Sequence, residues 1–151
     1  MPELQSDFLF TIRISVDDLC DIGATPFGTR HIDMLGEGSF EGPKLRGVVI
    51  GGMDQKIFRS DGAMNPNVRL VLKTDDEALI YMSYTGIRHG SKEVMERIAR
   101  GEEVEPSEYY LRNTPYFETS APQYDWINRI VSVGVGRRMP DHAAYDIFEI
   151  L

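Results

Sequence analysis

The chain has 151 residues, the length of one domain, of which 42% are hydrophobic and 26% are charged. These fractions are typical of globular proteins and exclude the disordered, collagen-like and coiled-coil classes. Its 16 basic and 24 acidic residues give a net charge of −8, which argues against nucleic acid or anionic lipid as a partner. We therefore expect one compact domain over residues 1–151.

The sequence suggests neither a disulfide nor a structural metal site for this domain. Cys20 is the single cysteine, and His31, His89 and His142 are too isolated to suggest a metal site, so we expect no metal and no cofactor. Residues 1–7 are acidic and polar, unlike a secretory signal, and no stretch approaches the roughly 18 apolar residues of a membrane span. We therefore expect a cytoplasmic protein with no membrane partner.

The first half of the chain alternates apolar and polar side chains with the period of two that is typical of β-strands. Strands are predicted over 8–16 and from 31 onwards, separated by an irregular loop over 17–30 that glycine and proline residues punctuate. Further glycines at 36, 38 and 42 interrupt the second strand. Such glycines indicate bulges, strong coiling or the close approach of another backbone, as in strands that bend into a barrel.

The second half adds more strands and one helix. A short peripheral helix is predicted to begin after Ser91, a favourable N-cap residue, and to end at Gly101. About nine strands in total favour an all-β fold, a closed antiparallel β-barrel, over a β-sandwich, which stays the alternative. After the first two, strands are predicted over 45–50, 56–59, 68–73, 78–85, 109–114, 124–138 and 144–151.

The common catalytic motifs are missing from the sequence: it has no Gly-x-Ser-x-Gly elbow, no Walker loop and no His-Glu-x-x-His pair. Instead, polar and aromatic residues lie near strand ends in apolar surroundings. Residues two apart on a strand share a face, so the pairs Tyr110 with Arg112 and Trp126 with Asn128 are each predicted to supply an aromatic wall and a polar contact to one cavity. Alternatively, these side chains are structural. The whole group comprises Asp54, Asp61, Arg69, Tyr81, Tyr84, Tyr110, Arg112, Glu118, Trp126 and Asn128.

Six segments resemble, in order and spacing, the motifs of the domain of unknown function 3237 family, small proteins of bacteria and fungi. They cover 22–30, 38–48, 51–54, 61–62, 110–119 and 124–128. That family is similar to the allene oxide cyclase and dirigent barrels, so the resemblance implies a barrel with a ligand-sized cavity and a homo-oligomer. Gln55 stands where the family usually has Trp, which predicts a smaller and more polar wall on that side of the cavity.

Residue types and resemblance together define a candidate site. Asp54 or Glu118 is the predicted catalytic base, because a carboxylate in an apolar barrel has a raised pKa and exchanges protons near neutral pH. Arg112 is predicted to stabilise an oxyanion. The predicted ligand-binding residues are Tyr84, Tyr110, Trp126 and Asn128.

Three functions remain open at this point. The first is a cofactor-independent isomerase, cyclase or lyase acting on a small, partly apolar carbonyl compound. The second is a non-catalytic barrel that binds a small acidic or aromatic ligand through Arg112. The third is a structural oligomer subunit whose barrel is filled by side chains. A cavity carboxylate without an ionic partner distinguishes the enzyme from the binding protein.

Overall fold

The computed structural model describes residues 2–151 and shows a closed antiparallel β-barrel, as predicted. Eight strands close the barrel in the order β1-β2-β3-β5-β6-β7-β8-β9, with β9 paired to β1, and the short β4 bridges β3 and β6 at one rim. In the described range the strands are β1 Ser6–Thr25, β2 Gly28–Glu41, β3 Arg46–Phe58, β4 Met64–Asn65, β5 Asn67–Thr74, β6 Leu79–Gly90, β7 Tyr109–Glu118, β8 Val131–Arg138 and β9 His142–Ile150.

The loop predicted over 17–30 is wrong, because β1 continues through it and forms a long hairpin with β2. Register shifts between residues 14 and 23 absorb the irregular sequence as bulges, so the pairing survives from Thr11 to Thr25. Gly28, with φ +128°, begins the return strand immediately after a two-residue turn. Turn-forming residues in this segment therefore bend a strand rather than end it.

Glycines at strand crossings allow close approach of neighbouring backbones, as the sequence indicated. A Cβ atom on Gly38 would overlap the carbonyl of Arg13 on β1, and one on Gly52 would overlap the carbonyl of Arg69 on β5. Coiled strands bring these backbones together, and only glycine leaves the room.

The barrel interior is apolar in the half that contains the start of β1. Phe10 packs against Phe40 and Phe117 with ring centroids 5.4 and 5.8 Å apart. Leu72 and Ile80 are fully buried beside them. This half is a packed core, which leaves the opposite half as the place for a polar site.

A 3₁₀ segment over Pro122–Arg129 covers the apolar end of the barrel, so the strand predicted over 124–138 begins only at Val131. Pro122 lacks an N–H and favours the first position of a helix, which explains why the chain turns here. Ile127 is buried in the barrel end. Trp126 and Asn128 are therefore not neighbours on one face of a strand.

The helix α1, Lys92–Ala99, lies at the opposite, open end. Ser91 caps it by accepting a hydrogen bond from the Val94 N–H at 3.2 Å, and Gly101 follows its end with φ +79°, as predicted. Val94 and Ile98 face the barrel. A second 3₁₀ helix, Pro106–Glu108, leads into β7. Within residues 2–151 no helix is both long enough and apolar enough to span a bilayer.

Candidate functional site

Two connected cavities open at the end of the barrel that α1 flanks. The outer cavity has a volume of about 610 Å³, within the range of small-molecule sites. The inner cavity, about 40 Å³, lies below it between the strands. Lys56, Arg88 and Arg138 line both cavities and mark where they meet.

The two cavities differ in chemistry. Apolar side chains supply much of the outer wall, including Phe58 from the end of β3 and Met95 and Ile98 from α1. The inner cavity is lined by three cations, two carboxylates and two phenols: Lys56, Arg88, Arg138, Asp33, Asp54, Tyr84 and Tyr145. A ligand entering from outside would therefore meet an apolar channel before a charged floor.

Strand register brings the two carboxylates together. Asp33 on β2 is paired directly with Asp54 on β3, and both are buried. Lys56, two residues beyond Asp54, places its Nζ 2.6 Å from Asp33 Oδ2, which forms a buried ion pair. Asp33 Oδ1 has no hydrogen-bond partner in the part of the chain that the structure describes.

Asp54 differs from Asp33 because no cation among residues 2–151 forms an ion pair with it. Its Oδ1 accepts a hydrogen bond from the Asn67 backbone N–H at 3.0 Å, while the ion pair of Lys56 goes to Asp33. Burial raises the pKa of the Asp54 carboxyl, an effect that Lys56 and the Asn67 N–H oppose and the Asp33 charge reinforces. The result is a carboxyl that holds its proton more tightly than an exposed aspartate does.

Two buried phenols face the same cavity. Tyr84 on β6 lies in register with Val68, which is itself paired with Asp54, so Tyr84 and Asp54 occupy one row of the barrel wall. Tyr145 on β9 packs edge-on against Tyr84, with ring centroids 5.4 Å apart. Burial is the main cause that raises the pKa of both phenols, so both keep their O–H at neutral pH and can donate it to a ligand oxygen.

Arg88 also lines the floor of the inner cavity, and it is 6% exposed. Its Nε has no hydrogen-bond partner among the described residues, and its guanidinium takes part in none of the ion pairs found there. Burial and the nearby Arg138 charge lower its pKa below the ordinary arginine value. Arg138, by contrast, donates to the His142 carbonyl at 2.7 Å.

The structure brings together two of the predicted site residues, Asp54 and Tyr84. It places Tyr110, Arg112 and Glu118 on the outer face of β7, because successive side chains of a strand point to opposite faces and the inward ones are Tyr109, Leu111, Asn113, Pro115 and Phe117. Arg112 stacks over the Tyr110 ring, 4.6 Å from its centroid, outside the barrel. These three residues do not share a cavity with Asp54.

The remaining predicted residues lie at the far end of the barrel. Trp126 is half-buried under Lys44, whose Nζ is 5.0 Å from the ring centroid. Asn128 accepts from the Thr119 N–H at 2.8 Å and donates to the Thr119 carbonyl at 3.0 Å, which fixes the 3₁₀ segment to the end of β7. Gln55 is exposed on the outside of β3, so its replacement of Trp does not alter the cavity wall.

Sequence reasoning missed Arg88, Lys56, Asp33 and Tyr145. A signal for Arg88 was present, because the inward alternation of β6 through Met82 and Tyr84 continues through Gly86 to position 88. The glycine made the strand seem to end. The same alternation on β3 connects Asp54 with Lys56.

The fold and the cavity define a closed antiparallel β-barrel with a charged pocket at one end. Residues 2–150 match the family model described as "Protein of unknown function (DUF3237)", and the chain belongs to that family. A UPF0311 protein of Rhodopseudomonas palustris is 32% identical over 151 residues, covering 99% of both chains. Its crystal structure superposes on this chain with a TM-score of 0.96 and full coverage of both.

Two further solved structures are similar. A β-barrel-like protein of Acinetobacter baumannii has a TM-score of 0.87 at 35% identity and covers 100% of this chain and 98% of its own. A protein of Penicillium herquei described as an enzyme has a TM-score of 0.75 with the same coverage. Since it is only 18% identical, that likeness shows a shared fold and nothing more.

Proposed function

We propose that the barrel is a cofactor-independent enzyme that moves a proton on a small, partly apolar carbonyl compound, with Asp54 as the base. The observation that carries this proposal is the place of Asp54: a buried carboxylate that forms no ion pair among the described residues and lines the small inner cavity below the ligand-sized outer one. A paired carboxylate, such as Asp33, would have its basicity neutralised by Lys56.

The two buried phenols supply hydrogen-bond donors for the substrate oxygen. In the proposed step the Asp54 carboxylate takes a proton from the carbon next to the carbonyl, and the C–H electron pair passes into the carbonyl to give an enolate. The Tyr84 O–H donates a hydrogen bond to the oxygen where negative charge develops. Return of the proton to the same or a neighbouring carbon completes an exchange or an isomerisation without any other reactant.

The raised pKa of Asp54 supports this assignment, because a base whose pKa lies closer to the working pH transfers protons more effectively. The inner volume of about 40 Å³ is small enough for a bound head group to displace the water from the floor, which strengthens each electrostatic interaction there. The apolar outer channel suits the partly apolar body of the substrate.

Deuterium exchange at the carbon next to a carbonyl, followed by proton NMR in heavy water, tests the proposal on a panel of aryl ketones, enones and oxo-acids. We expect enzyme-dependent exchange that Asp54→Asn lowers by about 100- to 10,000-fold and Tyr84→Phe by roughly 100-fold. Asp75→Asn, at an exposed position beyond the far end of the barrel, is the matched control. Exchange that survives Asp54→Asn but is lost in Glu118→Gln would contradict the proposal.

A non-catalytic binding barrel is the second candidate. Arg88, whose Nε has no hydrogen-bond partner in the described part of the chain, favours it, since an arginine can hold a ligand without chemistry. Ligands that bind in the cavity while no compound exchanges faster than in buffer would support this function over the enzyme.

A further inference from the structure

Resting on the proposed function, we propose that the substrate is a monocarboxylate whose carboxylate group pairs with Arg88 on the floor of the cavity, with its apolar body in the outer channel. The carbonyl that reacts then lies beside the carboxylate in the inner cavity, whose lining Arg88 shares with Asp54 and Tyr84.

The first argument is the missing partner of Arg88. A buried guanidinium has five N–H donors, and a buried charge is normally paired. Arg88 is 6% exposed, yet no carboxylate in the described chain forms an ion pair with it, and its Nε donates no hydrogen bond. The carboxylates that line the same cavity have other partners: Asp33 pairs with Lys56, and Asp54 accepts a hydrogen bond from the Asn67 N–H.

The second argument is the local charge. The chain as a whole carries −8, but three cations and only two carboxylates line the inner cavity. One positive charge is therefore left uncompensated in a small, enclosed space. A ligand with a single negative charge neutralises it, whereas a doubly charged one would overcompensate and would meet repulsion from Asp33 and Asp54.

The third argument is the shape of the space. The inner cavity holds about 40 Å³, which is roughly three water molecules by the same measure, so it admits a small polar head group but no ring. The outer cavity of about 610 Å³ opens directly above it, with Phe58, Met95 and Ile98 in its wall. The head of the ligand therefore points down to Arg88 and the body stays outside.

Planar geometry selects a carboxylate in particular. A guanidinium presents parallel N–H groups that match the two oxygens of a carboxylate, which gives two charge-assisted hydrogen bonds. Arg138 lines the same junction but already donates to the His142 carbonyl, so Arg88 is the group left to receive the ligand.

Calorimetric titration of the purified chain with acids and their methyl esters tests this assignment. The probes are benzoate, hydrocinnamate, benzoylpropionate and octanoate, each paired with its ester, together with phenyl phosphate. We expect at least one acid to bind about 10- to 100-fold more tightly than its ester, the range of a charge-assisted hydrogen bond. Arg88→Met should bring that ratio close to one, and Arg88→Lys should retain part of it. Arg129→Met, exposed at the far end, should leave it unchanged.

Three results would overturn the inference: no acid binds better than its ester, the preference survives in Arg88→Met, or phenyl phosphate binds more tightly than benzoate. Arg88→Met removes an unpaired buried charge, so we expect it to fold, and thermal unfolding checks this. Asp54→Asn separates the two proposals. If Asp54→Asn keeps the acid preference and the wild type exchanges no compound, the proposed function fails while the carboxylate site stands. If the wild type exchanges neutral ketones, loses that exchange in Asp54→Asn and shows no acid preference, the carboxylate site fails while the proposed function stands.

Discussion

At the scale of single residues, burial of Asp54 makes the stability of the barrel depend on pH in a defined direction. In the folded chain the pKa of Asp54 is raised above 3.8, the ordinary value that it has in the unfolded chain. At a pH between the unfolded and the folded pKa, the folded chain therefore binds more protons than the unfolded chain. The free energy of unfolding therefore decreases as pH rises from about 3 through the raised pKa, because the buried carboxyl becomes charged. Asn cannot ionise, so this decrease disappears in Asp54→Asn.

We expect Asp54→Asn to be more stable than the wild type at neutral pH by about 0.5–2 kcal/mol, as is common when a functional group is removed from a costly site. The difference should shrink towards zero near pH 3, where both side chains are neutral. Urea unfolding at several pH values measures it. Asp125→Asn is a useful comparison, because the Arg129 side chain lowers the pKa of Asp125 and the pH dependence should have the opposite sign. A wild type that is the more stable of the two at neutral pH would contradict the expectation.

At the scale of elements, α1 is both a short helix and a wall of the outer cavity. Ser91 supplies its N-cap hydrogen bond, so Ser91→Ala should destabilise the chain by about 1 kcal/mol. Because Met95 and Ile98 line the channel, ligand affinity should fall as well. Hydrogen exchange should speed up at the Val94 amide, which loses its acceptor.

Ser91→Asp is the matched variant for this helix, since Asp also caps and its charge suits a helix N-terminus. It should restore both the protection of the Val94 amide and the affinity. Equal loss in the Ala and Asp variants would show that the Ser91 hydroxyl has another role.

The 3₁₀ segment over Pro122–Arg129 closes the other end, away from the cavity. Asn128→Ala removes two hydrogen bonds to Thr119, so we expect a loss of about 1 kcal/mol in stability with unchanged ligand binding. Thermal unfolding and titration of the same sample measure both quantities. Arg129→Ala, which removes only an exposed ion pair, should change stability by less than about 0.5 kcal/mol. Weaker ligand binding in Asn128→Ala would contradict this expectation and would support the sequence-based prediction that Asn128 binds the ligand.

At the scale of the whole molecule, barrel closure depends on how closely coiled strands approach. Gly52→Ala would push a methyl group into the Arg69 carbonyl on β5, so we expect a loss of about 1–3 kcal/mol from overpacking. Gly90→Ala is the comparison, because the nearest atom to its methyl group would be Tyr109 Cβ, at 3.3 Å. Urea unfolding should rank the two variants in that order; the reverse order would mean that β3 and β5 can separate at little cost.

The homo-oligomer that the family resemblance implies stays a prediction about the whole molecule. Val131, Val133 and Val135 face outward on β8, while Ser132, Gly134 and Gly136 face inward, so the apolar side of this strand lies on the surface. Light scattering of the purified chain measures the number of subunits, and a monomer would contradict the prediction.

Local patterns in the sequence were sufficient for the class of fold. The period-two alternation, the glycine-interrupted strands and the capped helix after Ser91 each depend on neighbours in sequence, and the barrel confirms them. The same reasoning identified Asp54 and Tyr84 as candidate site residues, and both lie in the interior. It misread 17–30 and 124–130, because a bulge and a 3₁₀ turn use the same residue types as a loop and a strand end.

Tertiary structure alone decided which residues face each other inside. A shift of one residue exchanges the inner and outer faces of a strand, so the sequence-based choice of Arg112 depended on a register that the sequence does not fix. Only the closed barrel places Arg112 outside and Arg88 on the cavity floor. Composition and alternation thus determined that this chain forms one all-β domain and favoured a barrel. The site itself, with Asp33, Asp54 and Arg88 from three different strands and Tyr145 from a fourth, exists only because the strand pairing of the barrel brings distant segments around one inner cavity.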